Sequence, residues 1–484
     1  MLKPRRDSRY SFPRLEDVLT TMSAAHNRFH GRNAVVLGLG LTGMSLVRHL
    51  RRHGAQVRVA DTRPNPPKAA ELREDFPGVK LETGPFSAST FAGTDLIAIS
   101  PGVAKDQPAI ADAVAQGIEL VGDVELFARA LPDDQKVLAI TGTNGKTTVT
   151  ALTGELTRSA GLSTVVAGNI GDAVLDALRR HEDGAPWPHV FVLELSSYQL
   201  ETTTGLSTVA ATVLNVTANH LDRYAGLADY AAAKARIFEH ASVQILNRDD
   251  PIVRLMRLPG HTVQTFGAGV PHSEEEWGLV DYGDLTWIAR GGELMLPISS
   301  LALVGRHNAQ NALAALALAS SVARVQRPML DALSRFHGLP HRMNPIAQAN
   351  DVLFVDDSKG TTVAATEAAL AGIGRPTILI AGGDGKGQSF APLKSTIAQN
   401  CRAVLLIGRD ADLIARAVVS SGVDVELVGT LEAAVARAFE VAHTGDAVLL
   451  SPACASLDQF RDYVERGERF ASLVQARLKE VLHA

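Results

Sequence analysis

Cysteine is nearly missing from this chain of 484 residues: only Cys401 and Cys454 occur. Two thiols cannot build a disulfide framework, and such sparing use fits a reducing compartment, so a cytoplasmic protein is expected. A basic excess is also missing, with 47 Lys and Arg against 52 Asp and Glu and a formal charge of -5. Nothing is therefore set aside to neutralise the phosphates of a polymer, and no nucleic-acid partner is expected. Long apolar runs are absent too, which excludes a bilayer-spanning helix and any expectation of membrane insertion. Met1 to Arg14 hold several Arg and Lys, but Glu16, Asp17, His26 and Asn27 interrupt Leu15–Phe29, where a secretory signal would need its apolar core. Residues 1–31 read as an N-terminal extension. No repeat of solenoid length and no low-complexity tract appears.

What remains is ordinary globular composition, 46 % hydrophobic and 20 % charged, in a length that suits two to four domains. Three segments open alike, with a short apolar strand, a glycine-rich turn and then a helix. The strands are Ala34–Leu37, Val137–Ile140 and Thr377–Ile380. The turns are Gly38-Leu39-Gly40-Leu41-Thr42-Gly43, Thr141-Gly142-Thr143-Asn144-Gly145-Lys146-Thr147-Thr148 and Ala381-Gly382-Gly383-Asp384-Gly385-Lys386. This alternation predicts an α/β protein with parallel sheets, whose ligands sit beyond the C-terminal strand ends. Breaks at Leu131-Pro132 and Gly338-Leu339-Pro340 divide the chain. A helix over Ala309–Ala323 and a small β excursion at 271–300 are expected between them.

The second turn carries the strongest signal. Gly142, Thr143, Asn144, Gly145, Lys146, Thr147 and Thr148 join a buried strand to a helix. Glycines let backbone N–H groups converge on a phosphate, and the helix N-terminus adds partial positive charge. Lys146 can reach terminal phosphates, and the Thr147 hydroxyl can ligate Mg²⁺. The usual first glycine is replaced by Ile140, so this is a shortened phosphate loop. Downstream, an expected strand over Val190–Leu195 presents Glu194, which is either an Mg²⁺ ligand or a helix cap. A strand over Val213–Val216 leads to His220, either solvated or functional. Lys234, on an Ala-rich helix over Asp229–His240, reads from pattern alone as a surface lysine.

The first turn, Gly38-x-Gly40-x-x-Gly43 with Asp61 at the next strand end, fits a dinucleotide fingerprint. Taken alone it suggests an NAD-dependent dehydrogenase, and a nucleotide-binding regulator without turnover is a further possibility. The phosphate loop and Glu194 favour phosphoryl chemistry instead.

The runs Gly142–Thr148, Leu193–Leu200, Asn215–Arg223, Arg306–Asn311 and Asp357-Ser358-Lys359 resemble the Mur ligases of peptidoglycan synthesis. Gly38–Gly43, Asp61–Arg63, Ser100-Pro101-Gly102, Gly122–Phe127 and Ser451–Phe460 look closest to the branch that adds D-glutamate. The resemblance runs from about Asn33 to the C-terminus. It implies three domains: a Rossmann-like UDP-substrate domain at 32–124, a central P-loop ATPase with a parallel sheet at 125–337, and a Rossmann-like C-terminal amino-acid domain at 338–484. It implies ATP with two Mg²⁺ ions, and a monomer acting on UDP-N-acetylmuramoyl-L-alanine and D-glutamate. The metals would be held by Thr147, Glu194, His220 and a carbamylated Lys234. Lys146, Glu194, His220, Lys234 and Lys359 would serve catalysis, while Asn311, Arg342 and Asp357 would hold ATP. Leu41, Thr42, Asp61, Thr62, Arg63, Ser100, Gly102 and Asn169 would hold the UDP substrate. Thr361, Lys386, Ser456, Leu457 and Tyr463 would form the D-glutamate pocket. Two residues depart from the family pattern: Tyr463 stands where Phe is expected, and Thr362 where Asn is.

Overall fold

The computed structural model describes residues 28–217, 223–303, 306–385 and 388–483. The chain forms two compact units. The first takes the chain up to Gln135 together with Ala167–Trp187 and Leu195–Ser207. The second takes Lys136–Val166, Pro188–Glu194 and everything from Thr208 onward.

The first unit is built on five parallel strands, β1 (Asn33–Leu37), β2 (Gln56–Asp61), β3 (Leu81–Thr83), β4 (Leu96–Ile99) and β5 (Glu119–Gly122), in the order β3-β2-β1-β4-β5. The order reverses on either side of β1, so the crevice at the C-terminal ends of β1 and β4 is where such sheets bind ligands. Val35, Leu37, Ile97 and Ile99 are almost wholly buried, as expected for strands covered on both faces. Each such side chain contributes about 1.5–3 kcal/mol of hydrophobic stabilisation. Helix α1 (Leu41–Arg52) follows β1, and α2 (Asp123–Ala130) follows β5. The turn from β1 into α1 requires glycine, because a Cβ on Gly43 would lie 1.9 Å from the Gly38 carbonyl oxygen.

The second unit contains two sheets. The larger holds β6 (Lys136–Thr141), β7 (Thr164–Gly168), β8 (Val190–Glu194), β9 (Thr208–Val213), β10 (Ala241–Asn247), β11 (Thr262–Phe266), β12 (Glu276–Tyr282), β13 (Leu285–Arg290) and β14 (Glu293–Pro297). Its order is β14-β13-β12-β11-β10-β9-β6-β8-β7. The β12–β14 meander is antiparallel, and it is the excursion expected at 271–300. Helix α3 (Lys146–Ser159) follows β6, α4 (Val174–Glu182) follows β7, and α5 (Leu227–Ala235) precedes β10. Helix α4 belongs to the first unit. Helix α6 spans Arg306–Ser320, three residues earlier at each end than the composition suggested. Ala312 to Ala319 are fully buried on every face, which marks α6 as a core helix rather than a surface one.

The smaller sheet holds β15 (Asn344–Ala349), β16 (Val352–Asp356), β17 (Thr377–Gly382), β18 (Cys401–Ile407), β19 (Asp424–Gly429) and β20 (Ala447–Leu450), ordered β15-β16-β20-β17-β18-β19. Only β15 runs antiparallel, on the edge. Helix α7 (Val363–Ile373) starts from Thr362, whose side chain accepts from the Ala365 N–H, and α8 (Tyr463–His483) closes the chain. Thr362 therefore does the capping that Asn would do equally well. The three sheets give the expected three-domain α/β architecture.

One expected strand is misplaced. The chain is extended over Thr208–Val213, not Val213–Val216. Beyond Val213 it turns toward the phosphate loop: Leu214 N–H donates to Thr141 O at 2.9 Å, and Asn215 O accepts from Thr143 N–H at 2.9 Å.

Candidate active site

The loop between β6 and α3 is braced from beneath. The Asn144 N–H donates to Asn215 Oδ1 at 2.8 Å, and Asn215 Nδ2 returns a bond to Asn144 O at 3.1 Å. Gly145 has φ of 82°, and a Cβ there would meet Asn311 Oδ1 at 2.7 Å. The loop is thus held as a cradle with its N–H groups at the start of a fourteen-residue helix.

Three ionisable side chains converge behind this cradle. Lys146 Nζ donates to Gly142 O and Thr143 O, both at 2.9 Å. Lys234 Nζ donates to Gly142 O at 2.8 Å, and sits 4.4 Å from the Tyr230 ring centroid. Glu194 ends β8, one strand over from β6, and is 1 % exposed. Burial lowers the Lys146 ammonium pKa, while the Glu194 charge partly offsets this. Burial also pushes Lys234 down to about 6, with the Lys146 charge adding to the effect and Glu194 opposing it. Lys234 is therefore a buried, largely neutral amine at pH 7, not the surface lysine its helix pattern suggested. Nor is Glu194 a helix cap: Ser196 caps the one-turn helix Ser197–Leu200, in a capping box with Gln199.

A cleft within the second unit opens from this loop. Asn144, Gly145 and Thr148 line it from the loop side, His307, Asn308 and Asn311 from α6, and Arg342, Asp357 and Lys359 from the C-terminal segment. Asp357 is buried, and desolvation raises its carboxyl to about 7, opposed by a hydrogen bond from Ser451 Oγ at 2.7 Å. Gly360 must lack a side chain, because a Cβ would lie 2.4 Å from Asp357 Oδ2. Lys359 Nζ lies 3.8 Å from the Tyr463 ring centroid, a cation–π contact. Behind it, His341 Nδ1 pairs with Asp356 Oδ2 at 2.6 Å, and His341 O accepts from Lys359 N–H at 3.0 Å.

The first unit has its own pocket at the switch point of its sheet. Gly38, Gly40, Leu41, Thr42, Asp61, Thr62, Arg63, Ser100, Gly102 and Asn169 all line it. Leu41 is 72 % exposed although it opens a helix, so an apolar surface faces this pocket. Asp61 is turned inward: its Oδ2 accepts from Leu39 N–H at 2.6 Å, and Arg63 Nη2 donates to it at 2.6 Å. Ser100 Oγ donates to Gly38 O at 2.8 Å. Asp61 and Ser100 thus shape the loop, leaving Leu41, Thr42 and Arg63 as the groups with surface to offer.

Sequence-family models match in chain order. A Mur ligase MurD-like N-terminal domain matches residues 32–122, a Mur ligase middle domain 140–319, and a Mur ligase glutamate ligase domain 341–454. The chain belongs to the Mur ligase family. A UDP-N-acetylmuramoylalanine–D-glutamate ligase of Thiobacillus denitrificans is 53 % identical over 460 residues, covering 92 % of this chain and 96 % of that one. The ligase of the same name from Nitrosospira multiformis is 51 % identical over 452 residues, with the same coverage. Among solved structures, a UDP-N-acetylmuramate–alanine ligase of Thermotoga maritima shares the fold, with a TM-score of 0.56 at 20 % identity, covering 92 % of this chain and 99 % of that one.

In this Mur ligase, of the residues expected around ATP, Asn144, Gly145, Thr148, Asn311, Arg342 and Asp357 meet in one cleft with Lys359, while Gly142, Thr143 and Lys146 belong to the same loop outside the cleft lining. Thr147 is buried beside them at the start of α3. Of the D-glutamate set, Thr361 follows Lys359 closely, its N–H donating to Lys359 O at 2.8 Å. Tyr463 contacts Lys359. Ser456 is buried, whereas Leu457 is 63 % exposed. His220 and Lys386 lie outside the described residues. Three contributors escaped the sequence reading: Tyr230 beneath Lys234, the His341–Asp356 pair, and Arg466; Asn215 stood there only as the head of a family run. Arg466 is 1 % exposed and donates to Ser358 O at 2.9 Å and Cys454 O at 3.1 Å. Tyr230 and Lys234 are four residues apart, so one helix face was the available signal. No helix among the described residues is long and apolar enough to cross a membrane.

Proposed function

We propose that this chain joins D-glutamate to the L-alanyl carboxylate of UDP-N-acetylmuramoyl-L-alanine, using ATP. The observation that carries the reading is the convergence of Lys146 with the buried Lys234 and Glu194 behind the Gly142–Thr148 cradle. Isolated buried charges are costly, and sites that stabilise phosphoryl transfer are where such charges are kept. The substrate assignment draws on relatives about half identical across nearly their whole length.

In this reading the pocket of the first unit, Asn169 included, holds the UDP moiety, the cleft lined by the Gly142–Thr148 loop, Asn311, Arg342 and Asp357 holds ATP, and residues from 338 onward also hold the amino acid. Leu41 offers an apolar face to the uracil, and Arg63, whose Nε and Nη2 donate to Asp61, offers its remaining Nη1 donors to a carbonyl or phosphate. The substrate carboxylate oxygen attacks the γ-phosphorus, and ADP leaves with the bridging oxygen. Lys146 and Lys359 stabilise the charge that develops on the transferring oxygens. The neutral amine of D-glutamate then bonds to the acyl carbon, expels phosphate and gives up a proton. Thr361, Lys386, Ser456, Leu457 and Tyr463 would hold the incoming amino acid.

The donor set suits Mg²⁺, a hard ion that takes few protein oxygens: Thr147 and Glu194 would hold one ion, and His220 with a carbamylated Lys234 a second. When bound, Mg²⁺ supplies charge neutralisation along the phosphates. Only an unprotonated amine adds CO₂, and Lys234 is unprotonated above about pH 6. A monomer in the cytoplasm fits this role. The test is phosphate release from ATP with UDP-N-acetylmuramoyl-L-alanine, comparing D-glutamate, L-glutamate and L-alanine. Release that needs D-glutamate, with product heavier by one glutamyl residue, is expected. Equal release with L-alanine would defeat the amino-acid assignment.

A further inference from the structure

Helix α1 starts at the first unit's pocket, where Leu41 and Thr42 open it, and the segment leading into α4 lines the same pocket through Gly168 and Asn169. The far ends of the two helices carry a second polar cluster. His49 and His53 stand one helical turn apart, and with Glu182 they bring three potential ligand atoms within 4.8 Å of one another. The imidazoles are 4 % and 5 % exposed, and the Glu182 side chain 14 %.

The hydrogen bonding around His53 poses a question of charge. His53 Nδ1 lies 2.9 Å from His49 O, which can only accept, so Nδ1 carries a hydrogen. In a neutral ring Nε2 is then a bare lone pair, and it sits 3.3 Å from Glu182 Oε1, another acceptor. Two acceptors at that distance need a cation between them, either a proton or a metal ion. The surroundings are arranged as they are around bound metals. A backbone carbonyl fixes the tautomer of His53, and Arg52 forms an ion pair with Glu182, its Nε 3.5 Å from Oε2. Phe29 covers the cluster edge-on, its ring centroid 6.3 Å from His49 and 6.4 Å from His53, and it is itself 4 % exposed.

We propose that His49, His53 and Glu182 form a binding site for a divalent transition-metal ion, Zn²⁺ by its chemistry. Two imidazoles and one carboxylate suit zinc and its neighbours rather than Mg²⁺ or Ca²⁺, which prefer all-oxygen shells. Zinc bonds such atoms at about 2.0–2.2 Å, so ligands around it stand roughly 3.4 Å apart. Modest side-chain rotation closes the present spacing. The ion ties the far ends of α1 and α4, and so stabilises the first unit. The site does not depend on what that pocket binds.

The test uses the full chain stripped with a chelator and titrated with Co²⁺ in excess Mg²⁺, which saturates oxygen-rich sites. The wild-type chain should take one equivalent with the intense visible bands of a four- or five-coordinate ion. Zn²⁺ should displace the Co²⁺ and raise the thermal midpoint. His53→Gln and Glu182→Gln should each weaken binding at least tenfold and abolish the midpoint shift. Glu182→Gln lies at a helix end and keeps the residue's shape, so its folding, checked by circular dichroism, guards against a misfolded control. Binding that is equal in wild type and both variants, or absent from the wild type, would overturn the proposal and leave a protonated His53–Glu182 pair.

Discussion

Two of the chain's three strand–glycine turn–helix segments differ in their electrostatics. At Gly38–Gly43 every strong charge is paired within the loop: Asp61 takes the Leu39 N–H and grips Arg63, and the helix offers an exposed Leu41. At Gly142–Thr148 a partly buried Lys146 faces the buried Glu194, with the buried, largely neutral Lys234 beside them. A neutralised loop can hold a ligand but has little field to stabilise a developing charge. A desolvated loop that keeps a lysine charge at hand can do both. Glycine spacing sets the shape in each case, and the residues flanking it set the chemistry.

This contrast can be broken experimentally. Lys146→Ala should lower ATP-dependent phosphate release by about 10²–10³-fold, the cost of removing one preorganised charge stabiliser. Near-normal turnover would remove the distinction between the loops. Lys234→Ala should be similarly impaired but partly rescued by a short-chain carboxylic acid, measured as restored turnover; full activity without rescue would discard the carbamate. The pH dependence follows from burial. Lys234 loses its proton near pH 6 when folded and near 10.5 when unfolded. Between those values the unfolded chain holds an extra proton, so stability rises with pH across the window, and Lys234→Met should flatten that slope in denaturant titrations. Turnover should fall as pH drops through about 6. Arg63→Ala should raise the KM for the UDP substrate about tenfold with kcat unchanged, the mark of uniform binding. A matching loss in kcat would show that the first loop also acts in chemistry. Tyr463→Phe should change the D-glutamate KM by roughly twofold at most, since the ring that meets Lys359 is kept.

Much of this was legible in the sequence because short-range rules govern it. Strand, glycine and helix starts follow from local sterics, and β6, its turn and α3 lie within one residue of their expected places. The lysine and glutamate beside the loop were also nameable. Their burial was not, since an Ala-rich helix gives the same pattern whichever face is covered, and Lys234 is hidden by partners ninety residues away, at Thr141 and Gly142. Asp61 misled in the opposite direction: its position at a strand end fits ribose binding, but its oxygens are committed to its own loop. His49, His53 and Glu182 gave no sequence signal beyond one i, i+4 histidine pair, because the glutamate comes from a distant helix.

The path of the backbone between the two units has a consequence for anyone cutting or splicing this chain. It crosses from one unit to the other five times, at 135/136, 166/167, 187/188, 194/195 and 207/208. A chimera joined at a single point near residue 136 would import a foreign first domain while keeping α4, whose Val174, Leu175, Ala177 and Leu178 are buried against the native one. Such a hybrid would display an orphaned apolar helix. A workable exchange must carry residues 167–187 and 195–207 along with the first 135.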